Sequence, residues 1–260
     1  ALSDLAPAAA DASSAPSADG AMQHAPVLDA ATAAAPEPIT DETQFDTRLQ
    51  RIERRRYDPE SGRLAPFACS FQSRYARLSL GQLRDMDAKL LAAAFPEHST
   101  AEGTTAPPVE AVERWFWDEL ASESDAKLLY ASDVDGSAFP PLAPGIERTR
   151  DERWSPQGLA SGSLLRYLPY DVPGVNSPML YFGMLGAMFC FHVEDNHMYS
   201  TSYLHRGAPK LWYGIPPADA DRFDEVAVKE AFPFHVQNDT HMLLRKSLMV
   251  PPTMLLERGV

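Results

Sequence analysis

The stretch from Phe191 to Pro217 reads FHVEDNHMYSTSYLHRGAPKLWYGIPP, and its first residues set His192, Glu194 and Asp195 directly after the apolar run MFCF. Ionisable groups taken out of water are costly unless a partner or a metal compensates them. On a strand, alternate side chains share a face, so His192 and Glu194 project together while Val193 faces the other way. A histidine and a carboxylate so placed supply two of the three protein ligands of a two-histidine, one-carboxylate centre. Such a centre holds Fe(II) with positions left open for a cosubstrate and oxygen. By itself the pattern HxE more often marks a satisfied or surface pair, because ordinary hydrogen bonding also accommodates these groups.

Several elements must position these residues. A helix is predicted over SLGQLRDMDAKLLAAAF, where Ser79 and Gln82 have capping-box spacing and Leu83, Met86, Leu90 and Ala94 share a face. A second helix follows Pro107 and Pro108 in VEAVERWFWDEL, with Trp115 and Trp117 read as packing residues. Beyond it the pattern turns to short β-type runs broken by Gly and Pro: KLLYASDVDGSAF, SPMLYFGMLGAMFCFHV, MYSTSYLH and KLWYGIP, with RGAP as a hairpin connection. Short strands joined by tight turns predict an antiparallel barrel or sandwich. DADRFDEVAVKEAF then returns to a helical pattern. The fold class is α+β, a helical N-terminal region followed by β structure. Residues 1–45 read as a disordered Ala/Pro/Ser-rich tail, 46–148 as the helical region and 149–260 as the β domain.

The 260 residues carry a formal net charge of -13. That balance argues against direct DNA binding by this segment, which needs clustered Lys and Arg, and suits a basic partner. The one dense basic run, RLQRIERRRYD, reads as a solvated helix face or linker. Two cysteines, Cys69 and Cys190, make neither a disulfide framework nor a CxxC knuckle and point to a reducing compartment. No run of apolar residues is long enough for a membrane span.

The stretch FGM…FCFHVEDNHMYSTSYLHRGAPKLWYGIPP resembles the centre of the JmjC-domain histone lysine demethylases, with agreement through FHVED, YS, YLH and G-PK-WYGIP. YASDVDGSAF and GVNSPMLYFGM resemble the segments that lead into that barrel. FACSFQSRYARLSLGQLRDMDAKLLAAAF with VERWFWDEL resembles the helical region of the JARID-type members, which act on lysine four of histone H3. The hairpin is equally close to the type acting on lysines nine and thirty-six. The resemblance runs from about Phe67 to Val260. It implies a JmjC double-stranded β-helix, a jelly-roll or cupin-like relative, incomplete at its C-terminus.

The resemblance implies roles residue by residue. His192 and Glu194 are the iron ligands and the catalytic centre. Lys210 pairs with the distal carboxylate of 2-oxoglutarate, Tyr130 bonds the same carboxylate, and Phe189 lies against the cosubstrate, which strict alternation from His192 would not allow without a bulge. Ser202 stands where the family usually has Asn and offers one donor in place of two. Lys246 lines the cosubstrate site. Tyr181 and Gly174 line the pocket for the methylated ammonium of the substrate. Asp195, His197 and His205 read as supporting residues.

The cofactors implied are Fe(II), 2-oxoglutarate as cosubstrate and O2; the partners are the histone H3 tail and chromatin, with no membrane, and the compartment is the nucleus. The family's second iron histidine is expected beyond Val260, with His235 and His241 as bystanders in a loop leading to helix. The chain as it stands is therefore expected to be inactive. A catalytically inactive JmjC chromatin-binding protein and a JmjC protein hydroxylase are the alternative readings.

Overall fold

A computed structural model of the chain describes residues 39–54, 67–71, 74–100, 103–118, 127–139, 156–159, 162–230, 243 and 246–260. His235 and His241, and the tail up to residue 38, lie outside the described residues. The chain divides into two units, one holding Asp135–Leu180 and the other Ile39–Val134 with Tyr181–Val260.

The larger unit begins with strand β1 (Gln44–Arg54), which pairs antiparallel with β2 (Phe67–Phe71), β3 (Ala76–Ser79) and β6 (Lys127–Asp135). With β7 (Met179–Gly183) beside β6, the order is β2-β1-β6-β7, with β3 on the other end of β1. As far as Arg54, the basic run is thus a strand rather than a solvated helix or linker, and its last four residues lie outside the described ones. Its alternation explains why: Phe45, Thr47 and Leu49 fall on one face, and Gln50 and Ile52 are buried on the other. The arginines between them do not prevent pairing, because a strand buries only the side chains facing a layer.

Both expected helices form. Helix α1 (Leu80–Ala94) starts at Ser79, whose side chain and that of Gln82 exchange the two capping-box hydrogen bonds, and it buries Leu83 and Leu90. After the short pair β4 (Ser99–Thr100) and β5 (Gly103–Thr104), α2 (Val109–Asp118) buries Trp115, which packs on Phe95 with ring centroids 5.7 Å apart. The stretch expected to be helical therefore also supplies β1 and β6. Trp117 donates through Nε1 to the Tyr213 hydroxyl, which donates to Glu113.

Farther on, α4 (Ala220–Phe223) runs into a π-helical turn, Asp224–Glu230, and α5 (Pro252–Glu257) follows. Phe223, Val226, Ala227, Leu248, Val250 and Leu255 form a core cluster against which Phe191 packs. The main chain of Phe191 makes an isolated antiparallel bridge with Leu248, its N–H donating to the Leu248 carbonyl at 2.8 Å. That bridge is the only ladder pairing in the described part of 184–230. Apart from the Phe191 bridge, FHVED, MYSTSYLH and KLWYGIP are not strands, and RGAP is a bend rather than a hairpin. β-type residues make a strand only when neighbours pair their main chain, and among the described residues only Phe191 finds such a partner here.

In the smaller unit, α3 (Pro156–Leu159) and a 3-10 turn, Leu164–Tyr167, precede a tight turn in which the Gly174 N–H donates to the Ser177 carbonyl. Gly174 has φ +79°, and a Cβ there would lie 3.2 Å from the Met179 sulfur.

Candidate active site

Tyr130 sits on β6 opposite Arg48 of β1, so the two share a sheet face. Its ring is fully covered, and Gly183 is what allows β7 to approach it: a Cβ at Gly183 would lie 3.2 Å from Tyr130 Cε2 and 3.1 Å from Ala187 Cβ. Phe189 packs on Tyr130 and on Tyr181, with centroids 5.3 and 5.4 Å away. Because 187–190 has no regular secondary structure, the alternation of a strand is not imposed there, and Phe189 also reaches His192, at 6.5 Å. The bulge expected for Phe189 is not needed.

Lys210 brings its ammonium into this aromatic group. It donates to the Tyr130 hydroxyl at 3.1 Å and lies 4.1 Å from the Phe189 ring centroid, with the Trp212 ring 5.8 Å away. Burial pushes the lysine down from 10.5 to about 8. Burial, with the nearby Tyr181 and Asp133, pushes the Tyr130 hydroxyl well above its ordinary value, so it stays protonated. The phenol oxygen accepts from Lys210 and keeps its own proton to donate. Two donors, one charged, thus converge inside an apolar rim, an arrangement that matches a carboxylate.

Across Phe189 lie His192 and Glu194. The Nδ1 of His192 is 2.7 Å from the Cys190 carbonyl, which fixes a proton on that nitrogen and leaves the Nε2 lone pair free for a metal. Nε2 is 3.7 Å from Glu194 Oε1, and the other carboxylate oxygen is 3.6 Å from Lys246 Nζ. Both side chains are partly exposed, at 18% and 34%. The Phe191–Leu248 bridge carries Lys246 to this place, and Lys246 adopts φ +52°, a conformation costing about 1 kcal/mol in a residue with a Cβ. One neutral imidazole nitrogen and one carboxylate on the same side fit a divalent transition metal. Among the described residues no cluster of three or more His, Cys, Asp or Glu could hold a metal ion, so these two are the protein donors in view.

The remaining expected residues divide. The Tyr181 hydroxyl donates to Asp133 at 2.8 Å; burial first, then that bond, raises it well above the usual tyrosine range. Arg48 holds the other oxygen of Asp133 at 3.2 Å. Ser202 is exposed, with no hydrogen-bond partner among the described residues. Gly174 is the turn glycine of the other unit. Asp195 and His197 form an exposed 3-10 turn closed by the His197 N–H on the Glu194 carbonyl. Sequence reasoning missed Arg48, Gln50 and Asp133; the alternation of β1 was the signal that would have placed the first two on the sheet.

Residues 179–260 match the family described as JmjC domain, hydroxylase. That segment is similar to JmjC-domain sequence. The chain is 39% identical over 161 residues to the lysine-specific demethylase JMJ706 of Oryza sativa subsp. japonica, an alignment covering 59% of this chain and 18% of that protein. It is 36% identical over 155 residues to lysine-specific demethylase 4D of Rattus norvegicus, covering 58% and 28%. With the lysine-specific demethylase REF6 of Arabidopsis thaliana it shares 37% over 127 residues, covering 44% and 9%. The chain spans less than a third of the length of each of these relatives. Every side chain of the Lys210 and Glu194 groups except Tyr130 lies in the matched segment.

Proposed function

We propose that this chain forms part of an Fe(II)- and 2-oxoglutarate-dependent demethylase of methyl-lysine on the histone H3 tail, acting on chromatin in the nucleus. The observation that carries the reading is the placing of two donors for a carboxylate, Lys210 and Tyr130, beside a histidine and a glutamate suited to a metal, with Phe189 between them. In this reading the JmjC segment contributes to a double-stranded β-helix.

His192 through Nε2 and Glu194 would hold the metal. Lys210 and Tyr130 would hold the distal carboxylate of 2-oxoglutarate, and the Phe189 face would exclude water from one side of it. Lys246, already beside Glu194, balances the carboxylate's charge. When bound, the metal, cosubstrate and O2 supply the oxidation of an N-methyl group, which leaves as formaldehyde. Tyr181, oriented by Asp133, offers its ring to a methylated ammonium, as aromatic faces accept such cations. Gly174 is assigned to the same pocket on the resemblance alone.

The test is formaldehyde release from mono-, di- and trimethylated H3 peptides with Fe(II) and 2-oxoglutarate, using the chain and the longest reading frame that contains it. Release that disappears in His192→Ala supports the proposal; release unchanged in that variant overturns it. Ser202 and the two donors in view favour one second reading, a JmjC chromatin-binding protein without turnover. Peptide binding with no formaldehyde from either form would establish it.

A further inference from the structure

Gln50 lies on β1, far from the JmjC segment in sequence, and is fully buried. A buried amide is costly unless its polar atoms are bonded. Gln50 meets that condition in a particular way. Its Nε2 donates to the Met188 carbonyl at 2.7 Å, and its Oε1 accepts the Met188 N–H at 3.1 Å, across 138 positions of sequence. Met188 has no strand partner, so one side-chain amide replaces both hydrogen bonds that a neighbouring strand would have made.

The position of that clamp matters. Phe189 follows Met188 directly and touches both Tyr130 and the Lys210 ammonium; Cys190, one residue on, orients His192. On the other side, Gln50 is paired across the sheet with Leu128, two residues before Tyr130 on the same face of β6. The amide therefore ties the segment 188–192 to β1, the strand paired with the one that carries Tyr130. An apolar residue of the same size would fill the space but leave the segment free to slide against the sheet.

We propose that Gln50 is a positioning residue for the site, fixing Phe189 over Lys210 and Tyr130 by clamping the main chain of Met188. The binding consequence rests on the functional reading above; the geometric one does not. The test compares Gln50→Met, which keeps the volume and loses both bonds, with Thr47→Val as a control. Thr47 is the other buried polar residue of β1, and its hydroxyl donates to the Ala76 carbonyl, away from the site. Gln50→Glu, which keeps the acceptor for the Met188 N–H, should fall between wild type and Gln50→Met, and it serves if Gln50→Met does not fold by circular dichroism.

Two readouts are taken alongside urea stability: the titration of Lys210 by NMR of labelled lysine in the ligand-free chain, and the dissociation constant of 2-oxoglutarate with Mn(II). In Gln50→Met the Lys210 midpoint should rise from about 8 towards 10.5 as Phe189 uncovers it. The cosubstrate should bind roughly ten- to a hundredfold more weakly, the scale of a misplaced binding group. Thr47→Val should change neither, even where its loss of stability is similar. A wild-type chain that binds no 2-oxoglutarate but whose Lys210 midpoint moves only in the Gln50 variants overturns the functional reading and keeps the positioning role. A Lys210 midpoint unmoved in Gln50→Met, or moved equally in Thr47→Val, overturns the positioning role.

Discussion

Replacing Lys210 by Met removes one positive charge and keeps most of the stem that packs on Phe189 and Trp212. In the free chain the ammonium donates to Tyr130, and burial alone lowers it to about 8. A bound carboxylate would supply the charge partner. Hydrogen bonds to a charged group contribute about 1.5 to 3 kcal/mol. At about 1.4 kcal/mol per decade, Lys210→Met should weaken 2-oxoglutarate by roughly ten- to 150-fold. The sign of the pH effect follows from the lowered value. Below about 8 the free lysine is already charged, and affinity is flat; above it, each pH unit removes up to roughly a factor of ten, because binding must take up a proton. Isothermal titration of 2-oxoglutarate with Mn(II), from about pH 7 to about pH 9, reads both effects. An unchanged dissociation constant in Lys210→Met, or a wild-type affinity that stays flat up to about pH 9, would refute Lys210 as the carboxylate anchor.

Two further outcomes follow from local packing. Gly183→Ala sets a methyl 3.2 Å from Tyr130 and 3.1 Å from Ala187, so it should cost about 1 to 3 kcal/mol in urea denaturation and weaken cosubstrate binding by displacing the Tyr130 ring. Ser79→Ala breaks the capping box of α1 and should cost about 1 kcal/mol, with no change in 2-oxoglutarate affinity.

Much of the candidate site could be proposed from sequence because its residues are local in the chain. His192 and Glu194 are two apart, and Lys210 follows within the same short stretch. Helices α1 and α2 were legible for the same reason: a capping box and an apolar stripe are both short-range signals. What escaped was long-range. The charges of RLQRIER masked a strand whose apolar face alternates at Phe45, Thr47 and Leu49, and only the sheet reveals that Arg48 and Gln50 meet Asp133 and Met188. FHVED looked like a strand because the apolar run MFCF leads into it. Pairing decides that state, and one bridge at Phe191 is what the described chain provides. The constraint of alternation disappears with it, which is how Phe189 and His192 come to lie together.

The most direct test of the account is the binding of Mn(II) to the chain, followed by electron paramagnetic resonance of the free ion with and without 2-oxoglutarate. His192 and Glu194 are the protein donors in view, so wild type should take up the ion, 2-oxoglutarate should tighten that uptake, and His192→Ala and Glu194→Gln should each lose it. Uptake by His192→Ala equal to that of wild type, equally tightened by 2-oxoglutarate, would contradict the assignment.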